Sequence, residues 1–182
     1  MSVPPELIGA WRRTGLIIGG RRQIDFCDVL WIQGATWFAD IRLPVSDLGP
    51  DTDDPIATHF GRLRAFAGRA SWIDPILHWD HEIDIDLTEV VDANKISWER
   101  GGIVERGTRQ RGGADVPWEE EWVRVSAPDA PVEAQSIGPK HLIVSVGPWQ
   151  IEVTDERPGR PFKAVRRDLI DSVWQVVGEV IA

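Results

Sequence analysis

Apolar and polar residues alternate along most of this chain with a period of two, the spacing that puts successive side chains on opposite faces of a strand. Glycine and proline break the alternation about every ten residues, as in an antiparallel all-β meander. Candidate strands cover 8–18, 23–33, 36–43, 62–68, 76–86, 95–100, 103–109, 118–126, 141–147 and 149–155. Gly34-Ala35, Gly101-Gly102 and Gly147-Pro148 supply the tight links of three predicted hairpins. Segment 44–55, PVSDLGPDTDDP, carries three prolines and four aspartates. It reads as a long acidic loop, either plainly solvated or a lid over a barrel mouth.

The period changes near the C-terminus. Over 161–181, Val165, Leu169, Val173, Val176 and Val180 form one stripe, with Ile170, Trp174, Val177 and Ile181 beside it. That spacing predicts an amphipathic α-helix entered at Pro161. Its apolar face needs a cover, which the outside of the barrel, a homodimer partner or an open barrel end would each supply. The expected architecture is therefore one domain, 1–182. It consists of an antiparallel meander over 8–155 that closes into a barrel of about 8–10 strands, followed by the helix at 161–181.

Composition sharpens this picture in one respect above all: there are ten tryptophans and no tyrosine. Most of the tryptophans fall within strands, so a barrel filled or lined by large rings follows, and each buried indole N–H needs an acceptor. With 182 residues, 42% of them hydrophobic, the chain is long enough for a proper core. A net charge of −9 opposes binding to a phosphate backbone, and the arginine pairs 12–13, 21–22 and 166–167 are too scattered to reverse that, so no nucleic-acid partner is expected. Cys27 is the single cysteine, which rules out an intramolecular disulfide. No apolar run reaches the roughly 18 residues of a membrane span, and no basic region followed by an apolar run opens the chain; a cytoplasmic protein is expected.

Gly9-Ala10-Trp11, at the start of the first strand of a meander that ends in a predicted helix, resembles the Gly-x-Trp element of the lipocalin and calycin superfamily. A looser similarity runs through AFAG at 65–68, SWER at 97–100, IVERG at 103–107, PWEEEW at 117–122 and IVSVGPWQIEV at 143–153. In order and spacing these resemble the Hri family of lipocalin-like proteins. The resemblance covers about half the chain and implies a calycin-like barrel without supplying an activity. The chain departs from typical lipocalins in having no Thr-Asp-Tyr element and no disulfide.

Candidate chemistry lies where polar residues share a strand face with apolar ones, because a polar group in a barrel lumen must be paired or must meet a ligand. One face of 118–126 carries Trp118, Glu120, Trp122 and Arg124, and is the better inward candidate. Glu120 and Arg124 then either bracket a ligand or form an internal ion-pair network. In 36–43 the faces are Trp37, Ala39, Ile41, Leu43 and Thr36, Phe38, Asp40, Arg42, and either serves as the inner one. His81 shares a row with Trp79, Ile83 and Ile85, and acts there as an acid–base group or as a core residue bonded to backbone. Glu105 lies on one face with Ile103 and Gly107; turned inward, its pKa rises unless an arginine offsets the burial. His78, Asp80 and the distant His141 have the residue types of an iron site, but the first two share an acidic row with Glu82, Asp84 and Asp86, so no metal is expected. No glycine-rich nucleotide loop or nucleophile motif appears, and no cofactor is expected.

Two functional classes use this one cavity. The first is binding of an apolar or aromatic small molecule, with Trp37, Phe38, Trp79, Trp98, Trp118 and Trp122 as walls and Arg42 or Arg124 orienting a polar end. The second is a cofactor-free cyclase, isomerase or lyase using Glu120, Glu105, Asp40 and His81. A barrel filled by its own side chains, serving interaction alone, is a third reading.

Overall fold

Strand β4 (Trp37–Pro44) is buried on both faces, and this sets the architecture. Phe38, Asp40 and Arg42 point into a barrel, while Ala39 and Ile41 on the opposite face pack under a second sheet. A computed structural model describes residues 1–45, 54–86 and 91–182. Its first sheet contains β1 (Gly9–Ile18), the two-residue β2 (Arg21–Arg22), β3 (Cys27–Gln33), β4, β5 (Arg64–Ile73), β6 (Ile76–Asp84), β7 (Val91–Glu99), β8 (Gly102–Arg111) and β9 (Ala114–Arg124). Neighbours in this meander pair antiparallel, and β1 pairs again with β9 from Trp11↔Arg124 to Ile18↔Trp118. That last pairing closes an eight-stranded antiparallel barrel from β1 and β3–β9. At this strand number the interior is just wide enough for side chains to fill.

Both ends of the barrel carry a cap. At one, the turn Pro5–Leu7 places Val3 and Leu7 against the interior, and the Trp11 indole donates to the Leu7 carbonyl at 2.9 Å. At the other lies helix α1 (Pro55–Gly61), started by an Asp54 carboxylate that accepts from the Ile56 amide at 3.0 Å. Ile56 and Phe60 pack there on Leu16, Ile18 and Trp118. The part of the expected acidic lid at 46–53 lies outside the described residues.

The barrel ends at Arg124, and the remaining strands build a separate five-stranded antiparallel sheet. These are β10 (Val132–Gly138), β11 (His141–Val146), β12 (Trp149–Asp155), β13 (Phe162–Ile170) and β14 (Val173–Ile181), in that spatial order. Segments 141–147 and 149–155 are thus strands as expected, but they lie over the barrel rather than in its wall. Leu142, Val144, Val146, Ile151, Val153, Phe162, Ala164 and Val180 form the sheet's inner face. They pack on Ala10, Leu30, Ile32, Ala39, Ile41, Ala65, Ala67 and Ile83 of the barrel exterior. The short alanine side chains let the two layers approach closely. Arg166, fully buried, ties the layers together by pairing with Asp28 of the barrel at 2.8 Å and with Asp168 at 3.0 Å.

The helix expected at 161–181 is a β-hairpin. Asp171 and Ser172 both adopt positive φ, 50° and 63°, which is the two-residue turn that matches the twist of paired strands. Ile170↔Val173 then closes the ladder that runs back to Lys163↔Ile181. The apolar stripe is also a run rich in β-branched residues, Val173, Val176, Val177, Val180 and Ile181, whose side chains suit a pleated surface better than a helix. A dimer face on that helix falls with it. The hairpin instead exposes Ile170, Val173, Trp174, Val176 and Val177.

Phe162 is fully buried between the layers. Phe162→Ala is expected to cost about 3–5 kcal/mol, read as a lowered denaturant midpoint in chemical unfolding.

Candidate binding site in the barrel

The inward rows carry the tryptophans, and most of the lumen is filled by them. Trp31 packs against Trp11, Trp79 and Trp122 with ring centroids 6.0, 5.6 and 5.5 Å apart. Their indole N–H groups are satisfied internally. Gln33 Oε1 accepts from Trp31 at 3.2 Å and from Trp79 at 3.1 Å, and Glu105 Oε2 accepts from Trp122 at 3.2 Å. A gap of about 20 Å³ remains, bounded by Phe38, Phe66, Trp79, Trp122, Asp40, Arg42, Asp92 and Glu105 among others. That is space for one water-sized group.

Beside the rings lies a buried ionic network. Arg13 from β1 pairs with Glu120 of β9 and, at 2.6 Å, with Asp25. Arg42 pairs with Asp40 at 3.1 Å and reaches Glu120 at 3.7 Å. Burial works against the charge of both guanidiniums, but the facing carboxylates outweigh it and raise both pKa values. Burial pushes the Asp40 pKa up against the pull of Arg42. Glu105 rises well above its ordinary value because it is buried and because Glu120 and Asp92 repel its charge, only partly offset by Arg42 and by an Asn94 amide donating at 2.8 Å. At the edge of the gap it therefore holds its proton to higher pH than an ordinary glutamate.

Next to the gap and sharing Asp92 with it, a recess of about 410 Å³ opens near α1, lined by His59, Arg62, Arg64, His81, Asp86, Asp92 and Arg109. The His81 ring stacks on Phe66 at 4.2 Å, and its Nδ1 bonds Asp84 at 2.7 Å. Burial, Arg64 and Arg109 push the His59 pKa down to about 2, so its neutral Nε2 accepts from Arg64 at 3.0 Å. Among the described residues, four buried nitrogens around the gap and recess have no hydrogen-bond partner: Arg42 Nη1, Arg64 Nε, Arg109 Nε and His81 Nε2.

The structure brings Asp40, Arg42, Phe38, Glu105, Glu120, Trp79 and Trp122 together inside the barrel and places His81 at the recess. It resolves the inner face of 36–43 in favour of Phe38, Asp40 and Arg42. Trp37, expected to line the cavity, lies on the other face of β4 instead, packed outside the barrel with Arg69 4.4 Å above its ring. Trp98 and Arg124 also leave the site, since both sit at the opposite end. Trp98 is 56% exposed there, and Arg124 covers the Trp11 ring at 4.7 Å while donating to the carbonyls of Ile8 and Glu6. Trp118 packs at a tilt against Phe60 beneath α1, 5.0 Å between centroids.

Sequence reasoning missed Arg13, Arg64, Arg109, Gln33 and Phe66. Trp11-x-Arg13 and Arg64-x-Phe66 share the polar-beside-aromatic alternation that singled out Glu120, and Arg109 falls on the Glu105 face. Among the described residues no group of three or more His, Cys, Asp or Glu side chains is placed to hold a metal ion. No helix among them is long and apolar enough to cross a membrane.

No family model, curated protein or solved structure matches this chain. The closed eight-stranded barrel agrees with a calycin-like fold without naming a family.

The raised pKa of Glu105 has a consequence for stability. The folded state keeps this proton at pH values where the unfolded chain, near 4.5, has lost it. Stability is therefore greatest below the unfolded value and falls as pH rises toward the folded one. Glu105→Gln, neutral throughout, is expected to unfold at a higher temperature than wild type at about pH 8, with the difference vanishing at about pH 4. Thermal unfolding of both proteins across that range measures it.

Proposed function

We propose that this protein is a lipocalin-like barrel that binds an apolar or aromatic small molecule at the α1 end. The observation that carries the reading is the floor of Phe38, Phe66 and Trp79, next to Arg42 and the raised-pKa Glu105, adjoining an open recess. Concave apolar walls with a few convergent polar groups are the usual make-up of small-molecule sites. With only about 20 Å³ free inside, the guest's body occupies the recess and one end reaches the gap. The meander order and the placement of Trp11 at the start of β1 support the lipocalin-like assignment. A single free cysteine, Cys27, suits a cytoplasmic place of action.

A second reading is favoured by Glu105. A carboxyl held neutral beside an ionised partner is the arrangement by which a site separates acid from base, so a cofactor-free isomerase, cyclase or lyase would use Glu105 as proton donor. Asp40 lies within the same network as the companion group.

Native mass spectrometry of protein freshly purified from its own source tests the proposal. A retained small molecule, lost on denaturation, is the expected result. A clean apo mass with no tryptophan emission change across a panel of aromatic compounds would favour a self-filled interaction barrel. Incubation of the retained compound separates the two readings. A binder leaves it unchanged, whereas an enzyme converts it, and Glu105→Gln then keeps binding while turnover falls by at least about a hundredfold.

A further inference from the structure

The unpaired nitrogens at the α1 end differ in kind from the satisfied groups deeper in the barrel. Arg62 and Arg64 share Asp86 at 2.5 and 3.3 Å, and Arg64 also lies 3.8 Å from Asp84. Arg109 makes no ion pair among the described residues and lies 5.6 Å from the Phe60 ring centroid. Arg42, Arg64 and His81 converge on one ring, Phe66, with the two guanidinium carbons 5.6 and 5.2 Å from its centroid and the imidazole stacked on it. The side chains of Arg42 and Arg64 are 7% and 8% exposed, so each is a buried cation with a donor left over. A buried donor without an acceptor costs roughly 1–3 kcal/mol, and more for a charged one, unless something else accepts from it. Opposite charge is the remedy these groups call for.

The balance of charge limits what that something is. The recess is lined by three guanidiniums, Arg62, Arg64 and Arg109, against two carboxylates, Asp86 and Asp92. His59 is neutral there, as its depressed pKa requires, and His81 is tied to Asp84. Arg62 and Arg64 face Asp86, and Arg64 also faces Asp84, which leaves Arg109 as the lining guanidinium without an ion pair among the described residues, a place for one anionic group. Guanidinium N–H groups fit the two in-plane oxygens of a carboxylate.

We infer that the guest of this barrel is an aromatic or apolar carboxylic acid whose carboxylate is bound at the recess by Arg64 and Arg109. The inference rests on the small-molecule-binding reading and names its ligand class.

Isothermal titration with 2-naphthoate, 2-naphthamide and 2-naphthyl phosphate tests it, on the wild-type chain and on Arg109→Met and Arg64→Gln. Naphthoate is expected to bind at least about tenfold more tightly than the amide, as charge-assisted hydrogen bonds imply. Each substitution shrinks that advantage, lowering naphthoate affinity by a larger factor than amide affinity. Arg109, half-buried and without an ion pair among the described residues, keeps the test usable if Arg64→Gln does not fold. Equal binding of acid and amide overturns the carboxylate assignment while leaving the binding reading intact. Tighter binding of the phosphate overturns it in favour of a dianion. Binding of none of the three overturns it too, and a clean native mass alongside would remove the binding reading as well.

Discussion

An eight-stranded barrel has an interior of nearly fixed width, and every inward side chain shares it. Here four indoles, two phenyl rings and a network of guanidiniums and carboxylates occupy the same lumen. The rings leave space for no more than about one water beside the charges, so the charges must largely neutralise one another. Arg13, Glu120, Arg42 and Asp40 do so across three strands, β1, β9 and β4. Glu105 lacks a cation of its own, and its pKa rises instead. The chemistry of the site is thus a consequence of filling: a carboxyl that the packed arginines do not pair binds its proton more tightly.

The second sheet changes the character of the wall it covers. Strands β3 and β4 are buried almost throughout, inside by the aromatic core and outside by β11–β13. Opposite, where β8 and β9 face water, the exterior is a ladder of ion pairs, with Glu119 and Glu121 meeting Arg22, Arg100 and Arg106. Surface pairs of this sort add little stability each. The barrel's firmness therefore comes from the covered side, where Arg166 and Phe162 join the two layers.

This asymmetry also explains what could be read along the chain. Strands with one wet face, such as β9, show clean alternation, and the inward set Trp118, Glu120, Trp122 was legible from it. β4 has two dry faces, so its inner row could not be told from its outer one, and Trp37 was placed on the wrong side. The barrel, its meander order and the hairpins at Gly34, Gly101 and Gly147 followed from period and punctuation. The hairpin at 162–181 did not, because a run of valines spaced by three and four satisfies a helical stripe and a two-faced strand alike. Only the left-handed turn at Asp171-Ser172 decides between them, and neither residue announces it as glycine would. The arginines at the recess were missed for a related reason: a charged residue near a strand end reads as solvated until the fold turns it toward a ring.

Closure of the barrel has one further consequence. A closed wall leaves no row of unpaired amides and carbonyls, apart from the two-residue β2, whereas the five-stranded sheet ends in two free edges, β10 and β14. Free edges are where another strand can add. Main-chain association between copies, whether useful or pathological, is thereby confined to the outer layer of the molecule. The end proposed to bind a guest belongs to the closed barrel and not to those edges, so assembly and recognition would be free to change independently of each other.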